Sequence, residues 1–381
     1  MSNLPYYAIV PNITFAAMTI QTITDFLESL APLSYQESYD NCGLIVGDKN
    51  ARLKGVLVTL DVTEAVVDEA IANKCNLIVA HHPIVFGGLK KLNGKNYVER
   101  VVIKAIKKDV AIYAIHTNYD NVSHGVNAMI AERLGLQNTR ILAPKKGLLR
   151  KLNTFIPAEF HEQVTQAVFK AGAGHIGNYS ETGFNLHGIG TFKGNAASNP
   201  AIGQKGVKEE VKEIKFETIY PKHLESRILH ALVEAHPYEE PAYDLMDLQN
   251  EHEKVGSGMI GELKQPADEL NFLKSVKKQL KTACIRYTEL RGKKVQKVAI
   301  CGGSGRFLLP DAMAAGADVF ITGDFKYHEF FDAEGRIVVA DVGHFESEQF
   351  TKDLLAREIS KKFPIIAPLI SQVNTNPIKY L

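Results

Sequence analysis

The feature that most constrains this chain is a recurring β-type run that stops on an ionisable residue. GVLVTLD at 55 to 61, CNLIVAHHP ending at Pro83, VAIYAIHTNYD at 110 to 120, ADVFITGD at 317 to 324 and RIVVADVGH at 336 to 344 all have this form. KVAICGGSG at 297 to 305 is a sixth run, which enters a glycine turn instead. Such near-continuous Val, Ile and Leu stretches, separated by amphipathic segments such as TEAVVDEAIANK and YVERVVIKAIKKD, are what a sheet buried on both faces by crossover helices requires. The pattern pauses at about residue 146 and resumes near residue 256. The expected fold is therefore α/β: one discontinuous domain with mostly parallel buried sheets, interrupted by an insert. Between the two blocks, LLRKLNTFIP, EFHEQVTQAVFKAG, a Gly-rich hairpin in NYSETGFNLHGIGTFKG, VKEEVKEIKFETIYP, KHLESRILHALVEAHP and PAYDLMDL read in the order β-α-β-β-α-β, a ferredoxin-like arrangement. The boundaries expected are an N-terminal appendage at 1–17, the first half of the α/β domain at 18–145, the insert at 146–252 and the second half at 253–375.

A chain of 381 residues has room for two or three domains. Its 44 basic and 43 acidic side chains leave a net charge of +1, which gives no global field toward nucleic acid or membrane. Cys42, Cys75, Cys284 and Cys301 form no CxxC pair, so a disulfide scaffold or zinc ribbon is disfavoured and any metal must fall to His and carboxylates. No apolar run approaches the roughly 18 residues of a spanning helix. The opening MSNLPYYAIVPNITFAA lacks a basic leader and is broken by Pro5 and Pro11, so it reads as a flexible arm or edge strand, and a cytoplasmic location is expected.

Asp61, His81, His82, His116, Asp120, Asp324, His328, His344 and Glu348 all fall at or just past the carboxyl ends of these strands, the edge where α/β sheets form ligand sites. A lone His there is more often a packing residue than a ligand. The adjacent pair His81 and His82 is less ordinary, because neighbours in an extended chain face oppositely and Pro83 pins the backbone where they diverge. His344 and Glu348 are four apart, as are Asp324 and His328, a spacing that fits joint chelation or a simple hydrogen bond on one helix face. Several such groups brought together without a counter-charge would be costly, and a divalent cation reverses the sign of that interaction. The mixed donor set suits Zn, Fe, Mn or Co, and hydrolysis by metal-activated water is its natural chemistry. His116, four residues before Asp120, fits a general acid/base, an orienting partner of a ligand or a hydrogen-bonded core histidine. Asp324 and His328 are the other candidates for moving protons. GGSGR at 302 to 306 offers backbone N–H groups and Arg306 to an anion, or is simply a tight turn. HPYEEPAYDL at 236 to 245 reads as a helix stop and turn or as a contact surface.

HHP at 81 to 83, HTNYD at 116 to 120, TGDFKYHE at 322 to 329 and DVGHFESE at 341 to 348 together resemble the NGG-one-interacting-factor-three-like family, whose bacterial members are labelled GTP cyclohydrolase I type 2 homologues. The resemblance spans nearly the whole chain from Met18. It implies a dinuclear centre, two divalent ions per subunit with zinc favoured and iron or manganese accepted, held by His81, His82, Asp120, His344 and Glu348, with Asp120 or Glu348 bridging. GAGHIGNY at 172 to 179, NPAIGQKG at 199 to 206 and HPYEEPAYDL are similar to the middle domain of longer members, related to nitrogen-regulatory and copper-tolerance proteins. The resemblance also implies a homohexameric toroid, a dimer of trimers, with a small-molecule substrate or ligand; no membrane partner is expected, and the ring shape of relatives suggests a DNA-encircling role to which the +1 charge gives little support. Two readings follow: a metal-dependent hydrolase acting on a nucleotide or phosphate-bearing substrate, and a non-catalytic regulatory protein that senses metal or ligand.

Overall fold

The computed structural model describes residues 17–381, so the expected appendage lies outside the described residues except for Ala17. In chain order the elements are α1 (Ile20–Leu30), β1 (Gly43–Val46), β2 (Val56–Thr59), α2 (Glu64–Ala72), β3 (Leu77–Ala80), α3 (Tyr97–Lys107), β4 (Ala111–Ala114), α4 (Thr117–Asp120), α5 (Val126–Leu134) and β5 (Leu136–Lys146). Then come β6 (Leu149–Pro157), α6 (His161–Lys170), β7 (Phe184–Lys193), β8 (Lys208–Pro221), α7 (Glu225–Ala235) and β9 (Tyr243–Asp247). The chain continues with β10 (Glu251–Asp268), α8 (Glu269–Gln279), β11 (Arg286–Tyr287), β12 (Lys294–Ser304), α9 (Leu309–Ala314), β13 (Val319–Gly323), β14 (Val338–Asp341), α10 (His344–Glu348), α11 (Thr351–Lys362) and β15 (Leu369–Ile370). Two compact units result: one runs to Ala143 and resumes from Lys254 to Leu381, the other is Pro144–Glu253.

The first unit contains two mixed sheets. In the five-stranded sheet, of order β1-β4-β3-β2-β15, β4, β3, β2 and β15 pair in parallel and β1 joins β4 antiparallel. Leu57, Ile78 and Ile112 pack one face of it against Val66 and Val67 of α2 and Val101 and Val102 of α3. Val56, Val58, Leu77, Val79 and Tyr113 are buried too, so both faces are covered, as the unbroken apolar runs require. The six-stranded sheet has the order β11-β14-β13-β12-β10-β5. There β12-β13 and β13-β14 are parallel, while β11 joins β14 and β10 joins β12 antiparallel, so this sheet departs from the mostly parallel expectation. The departure lies in β10, which patterning misses because glycines break its apolar alternation. Gly258 has φ +64, and a Cβ there would sit 2.9 Å from the Ile300 carbonyl oxygen, so the close approach of β10 to β12 needs that residue bare.

The second unit is one antiparallel sheet of order β7-β8-β6-β9 with α6 and α7. Leu152, Ile156, Phe216 and Tyr220 pack against Val164, Val168, Ile228 and Leu232 of the helices. The hairpin expected in NYSETGFNLHGIGTFKG is instead a single ten-residue strand, β7, whose Gly188 and Gly190 sit in register with Glu213 and Val211 of β8. Gly190 marks a close approach there rather than a turn, since a Cβ on it would run into the Glu213 carboxylate, while the space beside Gly188 is open. No described helix is long and apolar enough to cross a membrane.

Candidate metal centre

Five strands of the first unit, β2, β3, β4, β13 and β14, deliver their ionisable residues by simply ending. β3 stops at Ala80, and the next two residues are His81, with 0% exposure, and His82, half-buried. β4 stops at Ala114 and leads through His116 into the single turn of α4, which carries Asp120. β14 leads through Gly343, at φ +92, into α10, whose five residues set His344 and Glu348 one turn apart on one face. The end of β12 closes over them: a Cβ on Gly303, at φ +62, would lie 2.5 Å from Glu348 Oε1 and 3.2 Å from His344 Nε2. One glycine of the GGSGR turn thus lets the strand reach the cluster, while Arg306 is engaged by the Asp332 carboxylate.

The cluster has two lobes that share Glu348, which is 2% exposed. In the first lobe the His81 Nδ1–H donates to the Ile115 carbonyl at 2.9 Å, so Nε2 presents its lone pair. That Nε2 lies 3.6 Å from Asp120 Oδ1 and 3.8 Å from Glu348 Oε1. His81 Nε2 and Asp120 Oδ1 are both buried and have no hydrogen-bond partner. Burial lowers His81 to about 4, so it is neutral, and burial together with the Glu348 charge pushes Asp120 well above the usual carboxylate range.

In the second lobe, His82 Nε2 lies 3.0 Å and His344 Nε2 3.1 Å from Glu348 Oε2, and the two nitrogens are 3.3 Å apart. A carboxylate holds each ring from behind: Asp61 Oδ1 is 2.7 Å from His82 Nδ1, and Asp324 Oδ2 is 2.6 Å from His344 Nδ1. Burial opposes the imidazolium, but hydrogen bonds and charge from Asp61 and Glu348 raise His82 to about 9. At His344 burial is likewise outweighed, by Glu348 and Asp324, and its pKa rises to about 11. Burial would raise Glu348 too, yet the surrounding histidines, His344 foremost, hold it well below the usual range.

His116 stands beside both lobes, its ring centre 5.2 Å from those of His81 and His82. Asp40 Oδ1 is 2.9 Å from His116 Nδ1, and Asp40 Oδ2 accepts the Thr117 N–H at 3.0 Å and the Thr117 hydroxyl. Burial alone would raise Asp40, but the bonds to His116 and Thr117 hold it far below the usual range. A cleft of about 490 Å³ opens on the cluster, walled by Tyr39, Phe86, Phe307, Phe345 and the C-terminal Asn376 to Ile378. Of the residues expected at the site, His81, His82, His116, Asp120, His344 and Glu348 are brought together, and Asp324 stands behind His344. His328 is not among them; it is exposed on the 3-10 segment Tyr327–Ala333, with its ring against Tyr327 and Phe331. The sequence reading missed Asp40, which sits in a polar turn with no periodicity to mark it and meets His116 only across 76 residues of chain.

An α/β frame whose strand ends converge three histidines and two carboxylates on one cleft defines a protein with a candidate divalent-metal centre. Residues 18–377 match the Duf34/NIF3 (NGG1p interacting factor 3) family, and the chain belongs to that family. It is 39% identical over 368 residues to the GTP cyclohydrolase 1 type 2 homolog of Bacillus subtilis, covering 95% of this chain and 98% of that protein. Its counterpart in Halalkalibacterium halodurans is 40% identical over 367 residues, with the same coverage of both chains. The crystal structure of a Bacillus cereus protein related to NIF3 superposes with a TM-score of 0.82 at 38% identity, covering 96% of this chain and 99% of that one.

Proposed function

We propose that this protein binds two divalent metal ions and uses them to hydrolyse a small nucleotide or phosphate-bearing substrate. The observation that carries the reading is the pair of buried, unpartnered atoms His81 Nε2 and Asp120 Oδ1 facing Glu348. Lone pairs left without donors are costly, and a cation satisfies both at once. His81, Asp120 and Glu348 would hold one ion, and His82, His344 and Glu348 the other, Glu348 being common to both sets. Three imidazoles and two carboxylates suit zinc first, and iron or manganese also.

Bound ions of this kind acidify water and polarise an electrophile. His116 supplies proton transfer: the Asp40 carboxylate fixes its Nδ1–H, which leaves Nε2 to accept a proton and return it to a leaving group. Tyr39 and Phe86, with ring centres 6.1 Å apart, offer apolar surface to orient the substrate at the cleft. The name shared by the curated relatives, GTP cyclohydrolase 1 type 2 homolog, supports hydrolytic chemistry on a nucleotide. We assign the insert to the ferredoxin-like class on its β-α-β-β-α-β order, and propose a homohexamer.

The test is elemental analysis of protein stripped and reloaded with zinc, manganese or iron, followed by turnover assays across nucleotides and phosphoesters. Two ions per chain, with turnover that needs them and falls in His116→Gln, is the expected result. Two ions without turnover on any substrate would favour a metal-responsive binding protein instead. A stripped protein that takes up no ion would sink both readings.

A further inference from the structure

The inserted unit has a cavity of its own, about 590 Å³, formed by residues between Phe155 and Ala242. At its floor is Glu213 on β8, only 8% exposed. The HPYEE segment forms a bracket behind this carboxylate. Tyr238 Oη donates to Glu213 Oε1 at 2.8 Å, the Tyr238 N–H donates to His236 Nδ1 at 3.1 Å, and His236 Nε2–H donates to the Phe155 carbonyl at 3.0 Å. On the facing strand Gly188 is in register with Glu213, and a Cβ on Gly190 would lie 2.0 Å from Glu213 Oε2. The carboxylate therefore lies over ground that glycine leaves clear, with Phe155, Phe192 and Tyr238 around it and the last two rings 5.6 Å apart.

Among the described residues no Lys, Arg or His forms an ion pair with Glu213. Lys215, two residues along β8, gives its ammonium to Glu217 at 2.6 Å. A buried carboxylate without a counter-ion is expensive, and aromatic faces attract cations. A divalent metal would need several ligands converging on one point, and among the described residues the carboxylates lining this cavity, Glu213, Glu239 and Glu240, form no such group. We propose that the cavity is a binding site for a small organic ammonium ion, its charge against the Glu213 carboxylate and its alkyl groups against Phe155, Phe192 and Tyr238. The site belongs wholly to the insert and owes nothing to the proposed metal centre.

The test uses the full-length protein, titrated with choline, with putrescine and with the uncharged carbon isostere of choline, and followed by calorimetry and ligand-observed NMR. Saturable binding of a cation and not of the isostere is expected, weakened by about tenfold or more in Glu213→Gln, as for other close charge pairs. His82→Ala, in the other unit, should bind the cation as the wild type does. If Glu213→Gln does not fold, Tyr238→Leu takes its place, with weaker cation binding expected from the lost wall, and the choline and isostere pair decides on wild-type protein. Absence of binding by both cations, equal binding of the isostere, or full binding by a folded Glu213→Gln overturns the proposal.

Discussion

His81 and His82 are consecutive in the chain, yet the structure gives them opposite surroundings. His81 is buried, its outer nitrogen has no partner, and burial keeps it neutral down to about pH 4. His82, one residue on, is bonded to Asp61 on one side and Glu348 on the other and carries a proton up to about pH 9. The first lobe thus holds two buried polar atoms without hydrogen-bond partners, and the second is satisfied by its own charges. Both rings lie on the cluster, their centres 4.8 Å apart and their planes tilted by 47°, and Glu348 ties the two lobes together by offering one oxygen to each.

The sharpest way to break this comparison is Glu348→Ala. With the shared carboxylate gone, both lobes should lose their ion, with affinity falling by more than the roughly 100-fold that removing a mere orienting partner costs; elemental analysis still finding two ions would show the lobes to be independent. Next in size, His81→Ala and His82→Ala should each lower occupancy from two ions to one, and crystallographic anomalous scattering should show the surviving ion in the opposite lobe. His81→Ala should also unfold more readily in denaturant, by roughly 0.5–3 kcal/mol, because it empties a fully buried site.

The lobes should also differ in pH response. Ion-free His82 and His344, at about 9 and about 11, are both protonated at neutral pH, so loading the second lobe displaces two protons while His81 has none to give. Affinity for that ion should rise by about tenfold per displaced proton per pH unit until pH 9, and calorimetry in buffers of different ionisation enthalpy reads the proton count directly. The sign for the metal-free fold is the reverse. Both pKa values are raised above the ordinary 6.5, so their stabilisation is complete below that pH and is lost as pH climbs through about 9 and then about 11. A metal-free protein that grows steadily more stable to heat from pH 7 to pH 10 would contradict this assignment.

Smaller effects probe the support of the second lobe. Asp61→Asn should weaken its ion by about 10- to 100-fold while leaving the first lobe filled. Thr375→Val removes a hydroxyl that donates to Asp61 Oδ2 at 2.5 Å, and should cost only a few-fold, of the order of one hydrogen bond, with Thr375→Ser restoring it in a metal-competition titration.

Much of the first unit could be read from the chain because a strand buried on both faces advertises itself as an unbroken apolar run, and the residue that ends it is visible beside it. β2, β3, β4, β13 and β14 were legible in this way, together with the His and carboxylate residues at or just past their ends. β1 and β10 were not, since a short edge strand and a strand with glycines at close-approach positions carry no clean period. His328 shows the limit of spacing as evidence: it stands four residues after Asp324, but Asp324 has φ +60 and residues 324–326 are irregular, the 3-10 segment beginning only at Tyr327, so no helix carries the two on one face.

The amino-acid order by itself determined which residue types end each buried strand, where one grammar of elements gives way to another, and that any metal must be met by nitrogen and oxygen rather than sulfur. Only the tertiary structure decided which of these groups meet. His82 and Glu348 are 266 residues apart, and Asp40 and His116 are 76 apart. Local pattern records whether a side chain is buried, because burial follows the period of the element that carries it. Partnership across a sheet edge depends on strand order and on how helices α4 and α10 aim their side chains, and no local period encodes either.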